Sequence, residues 1–217
     1  MPSALLFDMD QTLVHSADVW REAVIDLFGF LKRDLSYEIA AHFSGLNMFD
    51  LTAKAIELTG ATVPLAEAQR YGRDALVRSY RKGTVSAMPG AVDLVKRLHG
   101  IAPMVVASGS PLEGIEIATE HLGIQGCFTR LLSSESVARG KPHPDVFLKA
   151  AELVGATPKH CVVFEDTVVG VKAAIAAGMP SLVVPSCDPA LLKPLATRMY
   201  GHWDEVKMEE VQRYLKG

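Results

Sequence analysis

Ala4-Leu5-Leu6-Phe7-Asp8-Met9-Asp10-Gln11-Thr12 is the stretch on which the reading of this chain turns. Four apolar residues closed by an acid read as a short buried strand. Side chains alternate along a strand, so Asp8 and Asp10 share a face if the extension persists and both stay at its carboxyl end if it breaks. Open α/β sheets bind ligands at that end. A carboxylate pair placed there serves either a divalent cation or a nucleophile beside a general acid/base. A solvated Asp-rich turn accounts for the fragment alone equally well.

Outward from this stretch the pattern changes twice. From about Ser16 to Gly83 strand signals stop, and Trp20, Val24, Leu27, Phe28 and Leu31 recur at helical spacing on one face. Shorter helices are expected over Ser36 to Phe43 and Phe49 to Leu58, with Gly60 as a stop, and a longer one from Pro64 to Gly83. Met88-Pro89-Gly90 then marks a turn. Beyond it, strands expected over 103–107, 128–133, 160–165 and 181–184 alternate with helices over 92–98, 112–122, 145–154 and 168–177. Strands alternating with helices of about ten residues imply crossover connections and a parallel sheet, hence an α/β fold. The segment 203–215 reads as a loop and a terminal amphipathic helix with Val211, Tyr214 and Leu215 inward.

With 217 residues, 49% hydrophobic and 22% charged, the chain can bury one substantial core beside a small second domain. A formal charge of -3 and a pI near 6.2 give no basic footprint, so nucleic acid is not expected as a partner. No basic leader precedes Asp8 and no apolar run approaches ~18 residues, so no membrane association and a cytoplasmic protein are expected. Cys127, Cys161 and Cys187 lack metal-like spacing and read as reduced thiols, Cys161 as a core residue.

Three later segments end strands or open helices with groups that invite chemistry. Ser108-Gly109-Ser110-Pro111 offers a hydroxyl and free backbone N–H groups to an anion, with Ser108 as the ligand contact and Ser110 as a helix cap. Gly140-Lys141-Pro142-His143-Pro144 holds a lysine between residues that restrict the backbone. Glu165-Asp166-Thr167 is a second acidic pair at a strand end, where Asp166 or Thr167 can also cap the next helix. Two acidic pairs at one sheet edge repel unless a cation lies between them, and Mg²⁺ is the natural choice.

Together, Asp8-x-Asp10-x-Thr12, the strand-ending Ser108, Lys141 in its proline loop and Glu165-Asp166 resemble the four motifs of the haloacid dehalogenase superfamily. The helical insertion resembles the small cap of the β-phosphoglucomutase and sugar phosphatase branch. The resemblance implies a Rossmann-like core of residues 1–15 plus 85–217, a cap of residues 16–84, and a Mg²⁺-dependent phosphatase of small phosphorylated metabolites, sugar phosphates foremost. It implies that Asp8 attacks phosphorus and that Asp10 is the general acid and base. By the same resemblance, Asp8, the Asp10 carbonyl and Asp166 hold Mg²⁺, with Glu165 as a further or water-mediated ligand. Ser108, the Gly109 N–H and Lys141 then hold phosphate oxygens. A monomer or weak dimer is expected. The alternatives are a hexose phosphate mutase and a non-catalytic phosphometabolite-binding protein.

The chain departs from the family pattern at several positions. Gln11 stands where a glycine is usual, and His15 replaces a frequent Asp as a substrate contact or a polar hinge residue. Trp20 replaces the mutase histidine, and stacks on a sugar or packs. Ser44-Gly45-Leu46-Asn47-Met48 lacks the mutase arginine, which removes a clamp for a second phosphate. Gly45, Leu46 and Asn47 are the candidates for specificity.

Overall fold

Residues 2–83 and 85–216 are described in this computed structural model. Strand β1 (Ala4–Phe7) is fully buried, and its side chains divide by alternation. Leu5 and Phe7 enter one apolar cluster while Ala4 and Leu6 enter another, so both faces of the sheet are covered. Phe7 stacks on Phe164 at 4.3 Å between ring centroids.

After β1 the order is β2 (Val14–His15), α1 (Ala17–Leu31), α2 (Tyr37–Ala40), α3 (Met48–Thr59), α4 (Leu65–Lys82), β3 (Ser86–Ala87), α5 (Ala91–Leu98) and β4 (Met104–Ser108). Then follow α6 (Leu112–His121), β5 (Arg130–Ser133), α7 (Asp145–Leu153), β6 (Cys161–Glu165), α8 (Val168–Ala176), β7 (Ser181–Val183), α9 (Pro189–Leu192), β8 (Arg198–Met199) and α10 (Met208–Lys216). The sheet runs β5-β4-β1-β6-β7-β8 with every pairing parallel. The strand order reverses beside β1, and the crevice at the carboxyl ends of β1, β4 and β6 is where such sheets take ligands. The expected α/β fold is what forms.

The insertion is helical, as its periodicity implies. Val24, Leu27, Phe28 and Leu31 are buried on α1, and α1 packs against α4, with Phe30 stacked on Tyr71 at 4.1 Å. Asn47 caps α3 through a 3.0 Å bond from the Asp50 N–H, and Gly60 ends it with φ 61°. α2 is only one turn, shorter than the sequence pattern suggested.

Two features went unread in the sequence. A two-residue antiparallel ribbon joins the ends of the insertion, pairing Val14 with Ala87 and His15 with Ser86. His15 is exposed on that ribbon and lies outside the cavity described below, which fits the hinge reading. The second feature is Trp203, buried near the C-terminus, whose indole N–H donates to the Thr12 carbonyl at 2.7 Å. It packs on Phe164 and so braces the loop after Asp10 from below. No helix among the described residues is long and apolar enough to cross a membrane.

Candidate active site

β1, the loop before α7 and β6 deliver four charged groups to one point. Lys141 Nζ lies 2.6 Å from Asp8 Oδ1 and 2.7 Å from Glu165 Oε1, and also sits 4.8 Å from the Phe147 ring centroid. Asp8, Glu165 and Asp166 present carboxylate oxygens within 4.8 Å of one another. All four residues are at most 7% exposed. The second oxygen of Glu165 is also occupied, accepting from the N–H of Asp166 at 2.8 Å and of Thr167 at 2.9 Å. Asp166 accepts from Thr12 Oγ1 at 3.2 Å and from the Ser186 hydroxyl.

Three carboxylates around one ammonium are electrostatically unbalanced. Burial pushes the Asp8 carboxyl up to about 8, since Lys141 offsets only part of the desolvation and the charges of Glu165 and Asp10 add to it. Burial also drives Asp166 well above the ordinary carboxylate range, helped by Glu165 and Asp8. Glu165 goes the other way: burial opposes its charge, but Lys141 and the backbone N–H donors outweigh it. Burial works against the Lys141 charge too, yet Asp8 and Glu165 hold it above its usual range. Asp8 and Asp166 are therefore the groups short of positive charge, and a hard divalent cation fits these all-oxygen donors.

Asp10 faces another set of partners. Its Oδ1 accepts from Ser16 Oγ at 2.6 Å, from Trp20 Nε1 at 2.8 Å and from the Tyr80 hydroxyl. Its Oδ2 accepts from Ser110 Oγ at 2.8 Å and Ser108 Oγ at 3.2 Å. Burial and the Asp10 charge raise Tyr80 well above its ordinary range, so it remains a proton donor. Gly114 on α6 admits its ring, because a Cβ there would come within 2.8 Å of Tyr80 Cδ2. Helices α1 and α4 of the insertion thus reach the same carboxylate as the turn after β4.

A cavity of about 390 Å³ opens over these groups. Gly109, Lys141 and the four acids line it from the sheet side, and Trp20, Gly45, Leu46 and Asn47 from the insertion side. The sequence candidates other than Ser108 and His15 line this cavity, and the roles of Ser108, Ser110 and Trp20 change. Ser108 is fully buried behind Gly109, and its hydroxyl accepts from the Ser110 N–H at 3.0 Å. Ser110 does not cap α6, since Pro111 holds the cap position and a charged acceptor draws the Ser110 hydroxyl to Asp10. Trp20 neither stacks freely nor simply packs, because its indole N–H is committed to Asp10. Thr167 does cap its helix, accepting from the Gly170 N–H at 3.2 Å. Gln11 adopts φ 60°, the left-handed conformation for which glycine is the usual residue, and its side chain accepts from the Ser16 N–H at 3.3 Å.

Sequence reading missed Ser16, Tyr80, Ser134, Gly170 and Ser186. Ser134 lines the cavity, and its buried hydroxyl has no hydrogen-bond partner among the described residues. Gly170 had a visible signal in Glu165-Asp166-Thr167-x-x-Gly170, a glycine in the first turn after an acidic strand end. A Cβ at Gly170 would overlap the Glu165 carboxylate. Gly170→Ala should displace Glu165 from Lys141 and lower stability by about 2 kcal/mol or more, read by denaturant unfolding. Gly29→Ala, where nothing lies within 4 Å, should be neutral or stabilising.

A family model for haloacid dehalogenase-like hydrolases matches residues 2–178. Fructose-1-phosphate phosphatase YqaB of Escherichia coli (strain K12) is 35% identical over 184 residues, covering 84% of this chain and 96% of that protein. Hexitol phosphatase B of the same strain is 28% identical over 199 residues, covering 84% and 83% respectively. The solved structure of β-phosphoglucomutase from Clostridium difficile matches with a TM-score of 0.85 at 21% identity, covering 100% of this chain and 98% of that one, a likeness of fold. This chain is an enzyme that belongs to the haloacid dehalogenase-like hydrolase family.

Proposed function

We propose that the enzyme is a Mg²⁺-dependent phosphatase of small phosphorylated metabolites, with residues 16–84 acting as a cap over a catalytic core of residues 1–15 plus 85–217. The observation that carries this reading is the buried group in which one lysine bridges Asp8 and Glu165 beside Asp166, with Asp10 next to it. Sugar phosphates are the first class to test, because the names of the relatives point to them.

In this reading Asp8 attacks phosphorus, the ester oxygen leaves with a proton from Asp10, and an aspartyl phosphate forms. Asp10 then takes a proton from the water that hydrolyses it. Lys141 keeps Asp8 aimed and shares the charge of the phosphate oxygens, and the N–H of Gly109, which lines the cavity, would donate to them. Asp8, Asp166 and the Asp10 carbonyl would hold Mg²⁺, with Glu165 further out because its oxygens are already bonded. Bound Mg²⁺ supplies Lewis-acid stabilisation of charge on the phosphoryl group. Ser16, Trp20 and Tyr80 fix Asp10 between turns of reaction.

The mutase reading needs a second phosphate clamp. On the insertion side of the cavity Arg21 carries the cation, and its guanidinium is 2.9 Å from Asp18 on the exposed surface. Phosphate release rather than phosphate retention is therefore expected, and a product assay on hexose phosphates separates the two. Mg²⁺ at about 100 times its dissociation constant should add about 2.7 kcal/mol, raising the melting temperature by roughly 5–10 °C. A melting curve unmoved by Mg²⁺ and unchanged by a chelator contradicts the metal assignment.

A further inference from the structure

The two sides of the cavity differ in chemistry. On the sheet side stand the acids, Lys141 and Ser134. On the insertion side the wall is made by Val24, Leu35, Ala40, Phe43, Leu46 and Leu51. The polar groups of that side are largely committed elsewhere. The Asn47 amide is closed on Asp50, donating to Oδ2 at 2.6 Å and accepting from its N–H at 3.0 Å. Arg21 pairs with Asp18, and the Trp20 indole N–H is bonded to Asp10. Ser44 contributes a hydroxyl beside Leu46.

We infer that the preferred substrate is a phosphate monoester whose alcohol is a hydroxyl-poor apolar body, such as one aromatic ring or a branched chain carried on a primary carbon. The inference rests on the phosphatase reading and sets an apolar alcohol ahead of the sugar phosphates that the names of the relatives suggest. Each hydroxyl of a polyol would leave water for a wall with few partners to offer, whereas an apolar body gains with every patch of surface it covers. The cavity, about 390 Å³, stands at the small end of the ~300–1,000 Å³ range of ligand pockets, which suits a phosphate and one ring. An apolar pocket discriminates against added hydroxyls only moderately, so the preference should be about 10- to 100-fold.

The test compares kcat/KM for benzyl phosphate and glucose 6-phosphate with Mg²⁺ present. Both are esters of primary alcohols, so the ratio reads the body of the alcohol. We expect benzyl phosphate to be favoured by about tenfold or more. Leu46→Asn and, independently, Leu35→Gln should bring the ratio down towards one, chiefly by raising KM for benzyl phosphate. Equal values in the wild type, or a preference for glucose 6-phosphate, overturn the inference and leave the phosphatase reading standing. Phosphate release from neither ester, nor from the activated ester p-nitrophenyl phosphate, overturns both.

Discussion

Lys141→Met should cost roughly 3–5 kcal/mol of stability and remove catalytic activity together, the expectation for deleting one partner of a buried ion pair. The methionine keeps the aliphatic bulk of the lysine against Phe147, so lost packing contributes little. What remains is Asp8, Glu165 and Asp166 within 4.8 Å of one another and without their ammonium. The deficit carries a pH signature in metal-free protein. A carboxyl whose folded pKa is raised binds more protons folded than unfolded, so stability falls as pH rises through that interval. Removing Lys141 raises Asp8 further and takes from Glu165 the charge that holds it low, so the variant should recover towards about pH 4 and be weakest above about pH 8. Arg139→Ala is the matched control. Its pair with Asp145 is 59% exposed on the arginine side, and its loss should cost under about 1 kcal/mol. Denaturant midpoints across the pH range check both. A Lys141→Met deficit as small as that of Arg139→Ala contradicts the electrostatic account.

Asp8→Asn should separate function from stability. Activity should fall on the order of 10⁴-fold or more, since the nucleophile is gone and what is left is positioning. Stability without metal should rise. Charged Asp8 is costly in this setting, because burial moves its carboxyl from 3.8 to about 8, and the native state loses stability as pH climbs through that window. An amide of the same shape removes the titration. The advantage of the variant should grow between about pH 4 and about pH 8, then shrink when Mg²⁺ is added, because the wild type gains more from the ion. A less stable variant at pH 8 in chelator contradicts this reading of Asp8.

Much of this was legible in the sequence for physical reasons. Alternating strands and helices fix a parallel sheet, and acids at the ends of the segments now seen as β1 and β6 must meet because those strands are neighbours. The partners of Asp10 were another matter. Tyr80 read as part of a helix stripe, and the pattern gives the buried face of α4 without saying what that face touches 70 residues away. The Ser110 hydroxyl leaves the local cap for the Asp10 carboxylate, a stronger acceptor 100 residues away. Trp203 lies 191 residues from the carbonyl it grips, beyond the reach of any local pattern. Gln11 shows the reverse. Its identity argued against the glycine turn, yet a short polar loop and the bond to Ser16 hold it at φ 60°.

The most direct measurement is phosphate release by purified protein from a panel of phosphate monoesters, in Mg²⁺ and in chelator, for the wild type and for Asp8→Asn. Release by the wild type that requires Mg²⁺ and disappears in Asp8→Asn is the predicted result. Release from no ester, or release that Asp8→Asn leaves intact, would contradict the assignment of Asp8 and its buried partners as the phosphatase centre.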